Sequence, residues 1–292
     1  MGIDINALKF MAAAKADGVD FRRTVMIGRQ SMYVTREQVD QEIPSPPAAK
    51  VEASDDEAYA EWVLRRLGAE QIDSVDASDY ERANIIHDMN APIPASLREK
   101  YGVVLEIGSL EHIFNFPVAI RNCMEMLEVG GRFVSVTVAN NFCGHGFYQF
   151  SPDLYYRIFS PENGFEIEKL YVCDAFTDSK WYRAIDPAQL PIRGELVGPY
   201  RVSLCIQARK VAAVEPFRKP PQQSFYNSIW NGEEAAGEHR ARSRRFGKQQ
   251  LVGLIRGMLP RKLKQKIQQF RSDRQYASEA FQLETPNRSG AR

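Results

Sequence analysis

The chain has no run approaching the roughly 20 apolar residues that a membrane-crossing helix requires. Its first 18 residues lack both a long apolar core and a small-residue cleavage site, so no signal peptide is expected. The Met-Gly start carries Asn6 where a myristoylation signal carries Ser or Thr. Cysteine is scarce, and Cys123, Cys143, Cys173 and Cys205 form no C-x-x-C pair. That excludes a disulfide frame and a zinc ribbon, and the four read as buried thiols of a reducing compartment. No metal site is expected. The location expected is cytoplasmic, with peripheral contact at the inner membrane face as an option. G-x-G-x-x-G is also absent, which argues against a nicotinamide-dependent Rossmann enzyme.

What is present is an ordinary globular composition, 44% hydrophobic and 26% charged. The net charge of +1 hides an asymmetry. Residues 238–292 carry 14 lysines and arginines against 4 acidic residues, and the chain before them 24 against 33. An acidic body with a basic tail points to two environments. The expected division is a domain over 1–210, a linker with an aromatic segment over 211–237, and a basic, partly helical or disordered tail over 238–292.

Helical spacing over Ile5 to Ala16, with Asp4 as N-cap and Gly18 as stop, predicts the first helix. A short apolar run from Arg23 ends in a turn at Gly28. Prolines 44, 46 and 47 place a loop over 41–56, and Ser54 or Asp55 is expected to cap a helix carrying Tyr59, Trp62, Val63 and Leu67. Strands are predicted at Gln71–Asp76, Asn84–Asp88 and Tyr101–Gly108. A helix follows over Phe116–Leu127 with Pro117 in its first turn, closed by Gly130-Gly131. Further strands are read at Arg132–Val138, Gly164–Val172 and Tyr200–Ala208, with a helix from Ser151-Pro152 between the first two. Alternating strands and helices predict an α/β, doubly wound, Rossmann-like and mostly parallel sheet.

Ligands of such sheets bind beyond the carboxyl ends of the strands. The residues there are Gly28, Asp76, Asp88 and Gly108 to His112. A carboxylate after the second strand suits ribose hydroxyls, and one after the third suits an adenine amino group.

Ser109-Leu-Glu-His-Ile113 followed by Met126-Leu-Glu-Val-Gly-Gly-Arg-Phe133 resembles the class I S-adenosylmethionine-dependent methyltransferases, of the methyltransferase type 11 kind. The order Gly28, Val75-Asp76, His87-Asp88, Leu110-Glu111-His112 matches that family's motif order, over roughly residues 20–210. The resemblance implies a seven-stranded sheet with a final antiparallel strand. It also implies S-adenosylmethionine as cofactor, held by Gly28, Asp76, Asp88, Glu111 and His112. The departure lies in the first turn, Ile27-Gly28-Arg29-Gln30-Ser31, where the family carries several glycines. Either Gln30 or Ser31 replaces the missing backbone donors, or the pocket has decayed.

The segment from Asn140 to Pro152 is the expected acceptor region. His145, between two glycines, is the candidate base, since an imidazole titrates in the range useful for removing a hydroxyl proton. Tyr148 and Gln149 are candidates to orient a polar acceptor, with Phe147 and Phe150 as walls. In the tail, Leu251, Leu254, Ile255 and Met258, then Leu263, Ile267 and Phe270, alternate with basic residues. That pattern over 251–271 suits an anionic membrane surface or a partner's groove; packing on its own domain is the plainer reading, and nucleic acid the weakest. Two functions remain open. One is methyl transfer, O-methylation of a small-molecule or glycan-like acceptor. The other is a non-catalytic binding or scaffold protein that docks through its tail.

Overall fold

The computed structural model describes residues 2–44, 57–178, 180–190, 194, 196–230 and 281–284. Its helices are α1 (Ile5–Ala16), α2 (Arg36–Glu42), α3 (Glu61–Arg66), α4 (Phe116–Met126), α5 (Pro152–Ile158) and α6 (Ser224–Trp230). Its strands are β1 (Gly2–Ile3), β2 (Arg23–Ile27), β3 (Ser31–Met32), β4 (Gln71–Asp76), β5 (Ile85–Ile86), β6 (Tyr101–Ile107), β7 (Leu127–Asn140), β8 (Phe165–Asp174), β9 (Trp181–Ala184), β10 (Val202–Lys210) and β11 (Phe281–Glu284).

Nine strands form one sheet in the order β11-β9-β8-β10-β7-β6-β2-β4-β5. From β5 across to β7 every pairing is parallel. β10 then enters antiparallel to both β7 and β8, as expected of the strand at Tyr200–Ala208. The expectation of seven strands is exceeded because β9 and β11 extend the edge beyond β8, each antiparallel to its neighbour. Tyr171 Oη donates to Glu284 Oε2 at 2.9 Å and ties the outermost strand down.

Strand period decides which residues face which layer. Val25 and Ile27 of β2 join a core containing Ile120 and Met124 of α4 and Tyr155 and Ile158 of α5. Met26, between them, joins a second core with Leu8 and Met11 of α1 and Val63 of α3. The sheet is therefore covered on both faces, which is the doubly wound arrangement.

Local signals read well where a cap was present. Asp4 Oδ1 accepts from Ala7 N at 2.8 Å at the start of α1, and Ser151 caps α5. Three details differ from expectation. α4 runs directly into β7, so Gly130 and Gly131 lie inside the strand and not in a helix stop. They fall where the β6–β7 register slips, between the pairs Tyr101–Leu127 and Val103–Arg132. α2 forms where no element was expected and its last two residues, Gln41 and Glu42, enter the expected 41–56 loop; a reciprocal capping box of Thr35 and Gln38 starts it. α3 starts from Ala60 with no side-chain cap; Ser54 and Asp55 lie outside the described residues. So does the basic segment 251–271. The aromatic segment 224–230 is α6, joined to α5 by Ser224 N and Oγ bonding to Asp153. Cys123, Cys173 and Cys205 are buried as expected, but Cys143 is exposed because it sits in the loop after β7. No helix among the described residues is long and apolar enough to cross a membrane.

Away from the carboxyl ends, Asp73 of β4 ties three segments together. It accepts from Tyr101 Oη at 2.7 Å, Asn84 Nδ2 at 2.8 Å, Gln71 Nε2 at 2.8 Å and Lys100 Nζ at 3.1 Å. Burial alone would raise its pKa, but these donors outweigh burial and hold it below the ordinary carboxyl value. A depressed folded pKa contributes stability above the unfolded value, and that stability is lost as pH falls through the folded one. Asp73→Asn is thus expected to flatten the fall in stability below about pH 4. Urea melts of both proteins from pH 3 to pH 6 check this, and parallel pH profiles would refute it.

Candidate functional site

β6 ends in Glu106-Ile107, then Gly108 (φ +74°) turns the chain into the short helical turn Leu110–His112. Glu106 is fully buried and organises that turn. Its Oε1 accepts from Ser109 N at 2.6 Å and Leu110 N at 3.2 Å, and its Oε2 bonds to Ser135 Oγ of β7. Burial pushes its carboxyl above the ordinary value. The turn then delivers Glu111 and His112.

Glu111 is also buried. Oε2 accepts from Thr137 Oγ1 of β7 at 3.1 Å. Oε1 is buried with no hydrogen-bond partner. Its carboxyl is pushed up to about 8, by burial first and by the Glu106 carboxyl second. The loop after β7 folds back onto the same residue. Phe147 N and Tyr148 N donate to the Glu111 carbonyl at 2.7 and 3.3 Å. Gly146, at φ +71°, makes this approach feasible, because a Cβ there would stand 2.7 Å from that carbonyl oxygen. His145 is thereby placed with Nε2 3.8 Å from Glu111 Oε1. Its ring centroid lies 4.8 Å from that of His112. Burial first, then the neighbouring His145, lowers the His112 pKa, which favours a neutral imidazole.

Glu111 and His145 open on a cavity of about 210 Å³ at the carboxyl ends of β6 and β7, whose lining does not include His112. Glu111, Thr137, Phe142 and His145 line one side; Ser203 of β10 and Phe176 line another. Gly2, Asp4 and Tyr33 also line it, brought there by the parallel pairing of β1 with β3.

The other expected site residues lie elsewhere. Tyr148 Oη donates to the Phe114 carbonyl at 2.6 Å, and Gln149 Oε1 accepts from Phe142 N at 2.8 Å. Both brace the loop and neither lines the cavity. Phe150 is in the core, Phe147 is mostly exposed, and Phe142 is the aromatic that walls the cavity. Gly28, Asp76 and Asp88 form a separate rim along β2, β4 and β5, outside the cavity lining. Asp76 Oδ1 accepts from Ser78 N at 3.2 Å. Asp88 Oδ1 accepts from Asn90 N at 2.9 Å and Asn90 Nδ2 at 2.8 Å, bonds that lower its pKa.

The glycine-poor turn has a definite structure. Arg29 turns away from it, paired with Glu61 at 2.7 Å and stacked on Tyr59. Gln30 folds inward, nearly fully buried, and its Nε2 donates to the Ile27 carbonyl at 2.6 Å. Ser109 Oγ donates to the same carbonyl at 2.5 Å. A Cβ on Gly28 (φ +71°) would meet Ser109 Oγ at 2.9 Å. Gln30 and Ser109 thus close the turn from inside, while Gln30 Oε1 is buried and unpartnered. Ser31 lies instead in β3. Sequence reasoning missed Glu106, Thr137, Ser203 and Phe176. Only Glu106 carried a signal, a lone acid inside the apolar run Val103-Val-Leu-Glu-Ile107.

No protein-family model matches this chain, and no curated protein does either. Solved structures similar to it include SAM-dependent methyltransferases. A branched-chain polyamine synthase from Thermus thermophilus aligns over 76% of this chain and 61% of its own, at 14% identity and TM-score 0.41. A SAM-dependent methyltransferase from Thermotoga maritima aligns over 70% and 89%, at 14% identity and TM-score 0.35. The trans-methyltransferase CalH, in complex with SAH, aligns over 70% and 54%, at 12% identity and TM-score 0.36. The chain thus spans about three fifths of the polyamine synthase. At TM-scores below 0.5 the likeness carries no argument of its own, and chemistry has to come from the residues of this chain.

Proposed function

We propose that the chain is an S-adenosylmethionine-dependent methyltransferase acting on a hydroxyl of a small-molecule or glycan-like acceptor. The observation that carries the reading is the Glu111–His145 pair, 3.8 Å apart, at the mouth of a cavity beyond the carboxyl ends of the strands. The cofactor's polar groups are largely donors and cations: an adenine amino group, ribose hydroxyls, an ammonium and a sulfonium. The carboxyl-end rim offers acceptors in the corresponding order. Asp88 and Asp76 would take the adenine and ribose groups. Glu111 lines the cavity itself.

When bound, the cofactor supplies an electrophilic methyl group. The chain's own residues supply alignment and a proton acceptor. The cavity, walled by the edge-to-face pair Phe142 and Phe176, holds the acceptor in line with the methyl group. His145 Nε2 takes the hydroxyl proton as the new bond forms. Positive charge on the imidazole then favours the ionised form of Glu111, which faces it without any other partner on Oε1. Tyr148 and Gln149 act on the acceptor indirectly, by holding the loop that carries His145.

The closed Gly28 turn favours one competing reading, a cofactor-free binding protein. Calorimetry with S-adenosylmethionine and S-adenosylhomocysteine decides between them. Micromolar binding that Asp88→Ala weakens at least ~10-fold, by losing a bidentate-capable acceptor, supports the enzyme. A folded protein that binds neither compound would sink it.

A further inference from the structure

The turn after β6 and the loop after β7 bring together, at the edge of the cavity, a set of donors that proton transfer alone does not require. Glu111, His112 and His145 each offer one ligand atom, and those atoms all lie within 4.8 Å of one another. Glu111 is the buried member and the two imidazoles are exposed. Glu111 Oε1, the atom nearest His145, has no partner of its own. A buried carboxylate oxygen without a hydrogen bond is costly unless a cation or donor meets it.

We infer that Glu111, His112 and His145 form a binding site for a divalent first-row transition metal ion, zinc or iron(II) in class, with its remaining coordination positions facing the cavity. This goes beyond the proposed methyl transfer. It replaces His145 as the proton acceptor of that reading, assigns Glu111 and His112 to the ion and not to the cofactor, and is tested with no cofactor present.

The donor chemistry selects the ion. Two imidazoles and one carboxylate suit zinc and iron(II), whereas magnesium and calcium prefer oxygen-only shells. Three protein ligands with an open face is the pattern of sites that bind a reacting molecule, since purely structural sites are closed by a fourth side chain. A zinc ion holds its N and O ligands about 2.0–2.2 Å away, so tetrahedral ligands stand about 3.4 Å apart. Movement of about 1 Å by the exposed imidazoles closes the present separation. The supporting contacts are already made. Thr137 Oγ1 holds the second oxygen of Glu111 at 3.1 Å, leaving Oε1 to point at the histidines. The two bonds from Phe147 and Tyr148 to the Glu111 carbonyl fix the His145 loop against the turn that carries His112. Such contacts orient metal ligands and are worth about 10–100-fold in affinity.

Chemically, the ion would take an acceptor hydroxyl oxygen into an open position and lower its pKa, so the proton leaves to solvent at neutral pH. His145 would then hold the ion instead of carrying the proton. An acceptor with two neighbouring hydroxyls, as sugars have, could fill two positions at once.

The test uses the full chain, stripped with a chelator and given no S-adenosylmethionine. Cobalt(II) and zinc are titrated by calorimetry, with cobalt also followed by its visible absorption bands. The expected result is one equivalent bound at micromolar affinity or tighter, with magnesium at tenfold excess failing to compete. His112→Ala and His145→Ala, both surface substitutions, should each weaken binding at least ~10-fold, the lower end for lost ligand support. Glu111→Gln should do the same, and His87→Ala should change nothing. No binding, or binding undiminished in His112→Ala and His145→Ala variants that keep the native circular dichroism, overturns the site. Because no cofactor is present, failure here leaves the methyltransferase reading to be judged by its own titration.

Discussion

Glu106→Leu is expected to melt about 6–12 °C below the unmodified chain, while Glu106→Gln melts within a few degrees of it. Three donors converge on the Glu106 carboxyl: Ser109 N, Leu110 N and Ser135 Oγ. All belong to buried residues. Leucine fills the volume but leaves them without an acceptor, at roughly 1–3 kcal/mol for each buried group left unpaired. The Ser135 hydroxyl can rotate, so about 3 kcal/mol is a reasonable net loss. For a domain of about 200 residues, each kcal/mol moves the midpoint by about 2–4 °C. Glutamine keeps an oxygen for the two backbone amides and turns its NH2 toward Ser135 Oγ. It is also neutral, the state that burial already favours for Glu106. Calorimetric melts of the two variants settle the matter; equal midpoints would mean that Glu106 organises nothing.

The second large effect is expected at a residue with no side chain. If the chain transfers methyl groups as proposed, Gly146→Ala should lower that activity on an identified acceptor about 100-fold or more, with S-adenosylmethionine binding unchanged. The new Cβ would stand 2.7 Å from the Glu111 carbonyl oxygen and 3.1 Å from its carbon. Backbone cannot yield there, because the same carbonyl already receives Phe147 N at 2.7 Å. The φ of +71° adds strain for any residue with a Cβ. The loop must move out and carry His145 with it. A displacement of about 1 Å at a reacting group costs on the order of 100-fold in rate. Initial rates against acceptor and cofactor concentrations separate this from a binding defect. Unchanged turnover would show that the position of His145 does not matter, and would weaken its assignment.

Much of the scaffold is legible in the sequence. The caps at Asp4 and Ser151, the stop at Gly18 and the apolar runs of β2, β6 and β10 depend on residues a few positions apart, and such signals survive in isolation. What failed was of two kinds. Gly130 and Gly131 read as a helix stop because their local chemistry is the same in a stop and in a strand irregularity. Only pairing with β6 decides which. β9 and β11 are four-residue strands whose reason to be extended is the neighbour they pair with.

The site divides along the same line. By itself the sequence determined which residue types stand after each strand: the lone Gly28, the acids at 76, 88 and 111, and the glycine-flanked histidine at 145. It determined this because strand ends and glycine turns are local events. Tertiary structure alone decided which of them meet. Glu111 and His145 are 34 residues apart in the chain, and they face each other because β7 lies beside β6 and its loop bonds back to the Glu111 carbonyl. The same closure set Asp76 and Asp88 on a separate rim, moved Tyr148 and Gln149 from acceptor contacts to loop braces, and turned Gln30 into the turn it was expected to line. Sequence spacing carries no information about these distances, because they depend on strand order, and strand order is settled only when both faces of the sheet are covered.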